Sequence, residues 1–176
     1  GVAFNFLLVM LFVLPIDLLF QHLTRGENSL LLYQQFLTWI LYVIQSSLGI
    51  EVYIRGENST ILAYADIIDM EIVAECSGLH ETVFLSLLVL CFRGVKPMVR
   101  AKWAIYAAVF IFVENLIRII SGYYLINIYD FSTWDKFHYF WWHTGQYALI
   151  MGVFVLWVMT IAGKPENKSV KKNYTR

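Results

Sequence analysis

The sequence predicts an all-α membrane protein with about five transmembrane helices and an outer β-hairpin or irregular cap between spans two and three. Three observations lead there. Hydrophobic residues make up 59% of the 176 residues and aromatic residues 17%, against 15% charged, a composition of the membrane class. Apolar runs recur at lengths near the roughly 20 residues that cross about 30 Å of hydrocarbon. Charges, although they sum to zero, are strongly sorted along the chain. The zero balance gives no reason to invoke a nucleic-acid partner.

Span one covers residues 2–20. It lacks a basic leading segment and a small-residue cleavage site, so it reads as a transmembrane helix and not as a signal peptide. Span two covers 29–48. Residues 49–75 are too polar to cross, and their β-branched run is interrupted by the turn-forming GENS at 56–59, which predicts the extracytoplasmic hairpin. Span three, 76–92, lies at the low end of spanning lengths. Spans four and five cover 101–126 and 137–162, completing a single transmembrane domain over 1–162, and a basic cytoplasmic tail follows at 163–176. Lys and Arg counts set the orientation. Arg93, Lys96, Arg100 and Lys102, the five tail cations and Arg25 between spans one and two all fall on one side, which is read as cytoplasmic. The opposite loops hold Arg55 and Lys136, with eight of the thirteen acids. The result is a multi-pass cell-membrane protein with a cytoplasmic C-terminus.

Two cysteines 15 residues apart form neither a disulfide framework nor a zinc module, and Cys91 reads as packing. Cys76 is different. It stands in IVAECSGLHETVFL, between the polar cap and span three, with Ser77 as a candidate N-cap and Glu81 in the first turn. A thiol at a helix N-terminus feels the positive end of the macrodipole, which favours the nucleophilic thiolate. The alternative is a small residue filling a helix junction.

FVENLIRIISGYY interrupts span four with Glu114, Asn115 and Arg118. Ionisable groups at that depth normally face partners or a cavity. Glu114 and Asn115 stand four and three residues before Arg118, so an intrahelical pair is the competing explanation. In span five, DKFHYFWWHTGQYALIMG carries His138 and His143, and its aromatic residues fit an interfacial belt. Arg118 and His143 each fall about eight or nine residues below the outer loop, and Gly145 permits close helix approach, which makes His143 the better partner and His138 the second choice. Cys76 at a helix start would then lie roughly 10 Å above them, unless helix three begins earlier or helices four and five extend or tilt.

These residues resemble the exosortase/archaeosortase family of integral-membrane cysteine transpeptidases, more closely its archaeal branch. LGIEVYIRG followed by VAECSGLHETVF is similar to the family's outer hairpin and A-x-x-C-x-G signature, here Ala74 to Gly78. ENLIRI matches its Asn-x-x-Arg element at Asn115 and Arg118, and HYFWWHTG occupies the place of its last motif. The resemblance covers roughly residues 49–152. It implies Cys76 as nucleophile, Arg118 as stabiliser of thiolate or oxyanion, and His143 as general acid/base, with Ser77, Gly78, Asn115 and Gly145 in supporting motif positions and no cofactor or metal. The implied partners are surface-protein precursors with a C-terminal transmembrane helix and basic tail, together with a lipid or other acceptor, among membrane lipids.

Two readings of other classes stand beside this one. Cys76 and His80, four residues apart, could join His138 or His143 in a Zn²⁺ or Cu⁺ set. A non-enzymatic scaffold that binds a partner helix would not need the thiol at all.

Overall fold

The computed structural model describes residues 2–24, 29–65 and 68–162. Arg25, Asp66 and the basic tail at 163–176 lie outside the described residues. The element order is α1 (Val2–Thr24), α2 (Leu31–Ser47), β1 (Val52–Arg55), β2 (Ile61–Tyr64), β3 (Ile68–Glu71), a 3₁₀ turn (Ala74–Ser77), α3 (Leu79–Cys91), α4 (Pro97–Ile128), α5 (Phe131–Phe140) and α6 (Gln146–Trp157). A π-turn, Trp141–Gly145, joins α5 to α6, and a second π-turn, Val158–Ala162, follows α6. Helix α4 and the continuous run Phe131–Ile161 are each long and apolar enough to cross a membrane, whereas α3 is a shorter apolar helix. At 13 residues α3 is about 20 Å long, so the 76–92 span is not one uninterrupted helix.

The described residues fall into two compact units. One contains residues up to 19, 81–111 and from 138 on, and the other 20–80 and 112–137. In the first, Val9 and Val13 of α1, Phe84, Leu85, Leu88 and Val89 of α3, Ala104, Ala107 and Ile111 of α4, and Ile150, Phe154 and Trp157 of α6 form one core. Phe92 closes it edge-on against Phe154 and Trp157, with ring centroids 5.9 and 5.5 Å away. The residues turned inward on α1 follow a four-residue step, Val9, Val13, Asp17, while Leu7, Leu11 and Leu18 are more than 60% exposed. Apolar residues outside and a carboxylate inside invert the pattern of a water-soluble protein and fit a hydrocarbon surround.

In the second unit, Leu37 and Leu41 of α2, Val52, Leu62, Tyr64 and Ile72 of the cap, and Leu116 and Ile119 of α4 share a core. The cap is a three-stranded antiparallel sheet in the order β1-β2-β3, one strand more than the expected hairpin. GENS forms the β1–β2 turn, with Gly56 and Ser59 at positive φ. In β2, Leu62, Ala63 and Tyr64 are all buried. Tyr64 stacks on Tyr123 at 4.6 Å and donates to Gln45 Oε1 at 2.7 Å, and burial pushes its phenol up to about 12.

Hydrogen bonds hold α2 lengthwise along this cap. Gln34 Nε2 donates to the Ile72 carbonyl and Gln35 Nε2 to the Asn58 carbonyl near its start, and Gln45 meets Tyr64 near its end. The end of α1 arrives at the same place. Gln21 Nε2 lies 2.8 Å from His80 Nε2 at the start of α3, and Tyr33 of α2 donates to the Ser77 carbonyl. The expectation that Arg25 faces the cytoplasm falls on residues outside those described.

Candidate active site

The segment around Cys76 is shaped by its backbone. Cys76 lies in the 3₁₀ turn Ala74–Ser77, where its N–H donates to the Val73 carbonyl at 3.0 Å, and Gly78 follows with φ +72° before α3 begins at Leu79. The thiol thus precedes the first residue of α3, Leu79, by three residues. Ser77 is not the N-cap expected, since Gly78 stands between it and α3, but it serves the junction: its Oγ accepts from the Leu79 N–H at 3.3 Å and donates to the Ala74 carbonyl at 2.6 Å.

Only glycine fits at position 78. Its φ lies in the left-handed region, and a Cβ there would stand 2.8 Å from Cγ of Asn115. Asn115, 1% exposed, fills that space and donates through Nδ2 to the Ser77 carbonyl at 2.9 Å. Its Oδ1 accepts from Arg118 Nη2 at 2.5 Å, and the same Nη2 donates to the Cys76 carbonyl at 3.1 Å. The intrahelical Asn115–Arg118 pair therefore exists, and it forms part of a bridge to Cys76. The expected depth gap between Cys76 and Arg118 is absent, because the 76–78 segment itself lies against Asn115 and Arg118, which bond the Ser77 and Cys76 carbonyls. The other guanidinium nitrogen, Nη1, is buried and has no hydrogen-bond partner among the described residues. A buried charge-bearing donor in this state is free to donate to an acceptor brought to it. Cys76 itself is half-buried.

Gly145 and His143 belong to the first unit, and His138 begins that unit's last segment. His143 sits inside the π-turn, where the Gln146 N–H bonds the carbonyl of Trp141 five residues back. Such turns are inserted single residues, frequent at functional sites. His143 Nδ1 lies 3.0 Å from the Tyr139 carbonyl, which can only accept, so Nδ1 carries the proton and Nε2 keeps its lone pair in the neutral ring. The ring is exposed and packs on Tyr139 at 4.0 Å and edge-on to Trp142 at 5.0 Å. His138 is half-buried in α5. Gly145 makes room for the indole of Trp141 on its own helix, since a Cβ would meet Trp141 Cε3 at 2.9 Å, which replaces the expected approach of another helix.

The alternative metal reading finds no donor set. No three His, Cys, Asp or Glu side chains among the described residues are gathered so as to hold an ion, and His80 is engaged with Gln21.

Sequence reasoning missed Gln21, Tyr33 and Gln34, which hold the segment around Cys76 from α1 and α2. The available signal was a polar side chain inside an apolar run, the test applied to span four and not to spans one and two. At the α5 start, the Asp130 carboxylate accepts from the Thr133 N–H at 2.6 Å as an N-cap. Hydrogen bonds from Thr133 hold that carboxyl below its ordinary value.

No curated protein and no solved structure matches the chain. The family profile described as Transmembrane exosortase (Exosortase_EpsH) matches residues 2–160, nearly the whole chain and every element of both units. With its apolar exterior and membrane-length helices, this chain belongs to the transmembrane exosortase family.

Proposed function

We propose that the protein is a membrane-embedded cysteine transpeptidase that cleaves the C-terminal sorting signal of surface proteins and transfers them to an acceptor. The observation that carries this reading is Arg118, tied by Nη2 to the carbonyl of Cys76 and to Asn115 while Nη1 is buried without a partner among the described residues. Family membership supports the same chemistry.

In the proposed reaction the Cys76 thiolate attacks the scissile carbonyl, just outside the substrate's transmembrane helix. The tetrahedral oxyanion accepts from Arg118 Nη1. Collapse breaks the C–N bond, the leaving amine takes a proton from His143, and a thioester remains on Cys76. An acceptor amine or hydroxyl then attacks the thioester, His143 takes its proton, and the C–S bond breaks to regenerate the thiolate. Water as acceptor would give proteolysis alone. The cap and Cys76 face outward in this reading, and the Arg93–Lys102 segment and the basic tail face the cytoplasm.

The test is co-expression with a surface-protein precursor ending in a transmembrane helix and a basic tail. The native chain should shorten the precursor and Cys76→Ala should not. Arg118→Ala should be slowed by about 10²–10³-fold, the loss typical of a removed oxyanion donor. Separate His138→Ala and His143→Ala variants assign the acid/base. Undiminished cleavage by Cys76→Ala would end the proposal.

A further inference from the structure

The sheet of the second unit ends in an open edge that leads to Cys76. In the order β1-β2-β3, β3 has β2 on one side and no strand on the other. The Ile72 N–H donates to the Thr60 carbonyl, and the register pairs Ile61 with Glu71, Leu62 with Met70 and Ala63 with Asp69. Hydrogen-bonded and non-bonded pairs alternate along an antiparallel ladder. Ile72 and Met70 therefore turn their peptide groups toward β2, and Asp69 and Glu71 turn theirs outward. The chain stays extended to Val73, at φ −85° and ψ 163°, so the Val73 N–H continues the outward row. Among the described residues no backbone hydrogen bond reaches the outward groups of Asp69 and Glu71 or the Val73 N–H. Asp69 and Glu71 are both exposed.

Such an edge is a template for another strand. Its position in the chain selects the occupant. Cys76 follows Val73 by three residues of a 3₁₀ turn, roughly 6 Å at about 2 Å per residue, which is the reach of about two extended residues. A strand laid parallel to β3 runs toward the thiol and brings the carbonyl beyond its last paired residue to it. A second copy of the chain is opposed by charge. Edge to edge, Asp69 and Glu71 of each copy would face the same acids, and like charges across a ladder are destabilising.

We propose that the free edge of β3 binds, by strand addition, the extended segment of the precursor that lies just before its scissile bond. The proposal rests on the transpeptidase reading and adds the source of its specificity. Backbone bonds to Asp69, Glu71 and Val73 hold the segment in register. Its side chains alternate between two faces. Those on the face of Asp69 and Glu71 are expected to be basic or uncharged, and those on the face of Ile68 and Met70, which are half-buried, apolar.

The test is disulfide trapping under a mild oxidant. The full chain, with Cys76 and Cys91 replaced by alanine and Asp69→Cys added, is co-expressed with precursors ending in a transmembrane helix and a basic tail. Each precursor carries one cysteine, placed at successive positions ahead of that helix. Trapping yield should alternate with a period of two residues. A flat profile overturns the edge, as does a chain-to-chain disulfide that excludes the precursor, which would make a second copy the occupant. Trapping uses an inactive chain and so separates the two ideas. A flat profile beside cleavage by the native chain removes the edge alone, and an alternating profile without cleavage by the native chain removes the transpeptidase reading alone. Kinetics give a second readout. Glu71→Pro deletes one outward N–H and spares the β2–β3 ladder, because proline is tolerated on an edge strand where its nitrogen faces away. It should raise KM for the precursor about two- to tenfold, the worth of one hydrogen bond. Glu71→Ala keeps the N–H and should raise KM less; equal effects of the two would overturn backbone pairing.

Discussion

Gly78 and Asn115 occupy one space. A methyl group at position 78 meets a positive φ and the side chain of Asn115, which is held by two hydrogen bonds and cannot swing away. Gly78→Ala should cost about 1–3 kcal/mol of stability. Asn115→Ala should recover part of that cost in the double variant, because it removes the obstructing atoms. Thermal unfolding of the four chains checks this; additive losses would mean that the two residues do not share the space. Tyr64 makes a pH prediction. Its ionisation in the fold is displaced from about 10 to about 12, so the native state holds a proton that the unfolded chain gives up between those values. Stability should be unaffected below pH 10 and should decline as pH rises toward 12. Tyr64→Phe should flatten that decline, and the near-ultraviolet phenolate absorbance should lose a late-titrating component in that variant.

At the scale of elements, the π-turn Trp141–Gly145 sets the rotation of α5 against α6. Deleting Thr144 should restore an α-helical run and turn all that precedes it by about 100° relative to Gln146. Helicity by circular dichroism should hold while precursor cleavage is lost; retained cleavage would mean that the phase of His143 is immaterial. The π-turn was not legible in WWHTG, since hydrophobic periodicity reports a helix and not one inserted residue. The sheet was partly legible. GENS marked its first turn, but the third strand, Ile68–Glu71, alternates apolar and acidic residues and owes its place to pairing with β2. The region read as span two, 29–48, holds the 17-residue helix α2, whose Gln34, Gln35 and Gln45 hydrogen-bond to the cap.

At the scale of the molecule, these contacts carry a prediction about sidedness. The last turn of α1, the start of α2 and the tip of the cap are tied together in the second unit through Gln21–His80, Tyr33–Ser77 and Gln35–Asn58. In a chain with Cys76 and Cys91 replaced by alanine, Ser29→Cys and Asn58→Cys should react with a membrane-impermeant maleimide from the same side. Labelling from opposite sides would contradict the packing of α2 along the cap. The sequence by itself determined the membrane class, the cap between polar limits, and Cys76, Ser77, Gly78, Asn115 and Arg118 as the residues of interest, because composition, turn residues and polar interruptions of apolar runs are local signals. Only the tertiary structure decided that Arg118 reaches the Cys76 carbonyl, that Asn115 fills the space Gly78 leaves, and that α1 ends beside α3. Those outcomes depend on side chains 35 or more residues apart competing for the same buried donors and volume. No local pattern encodes such a competition.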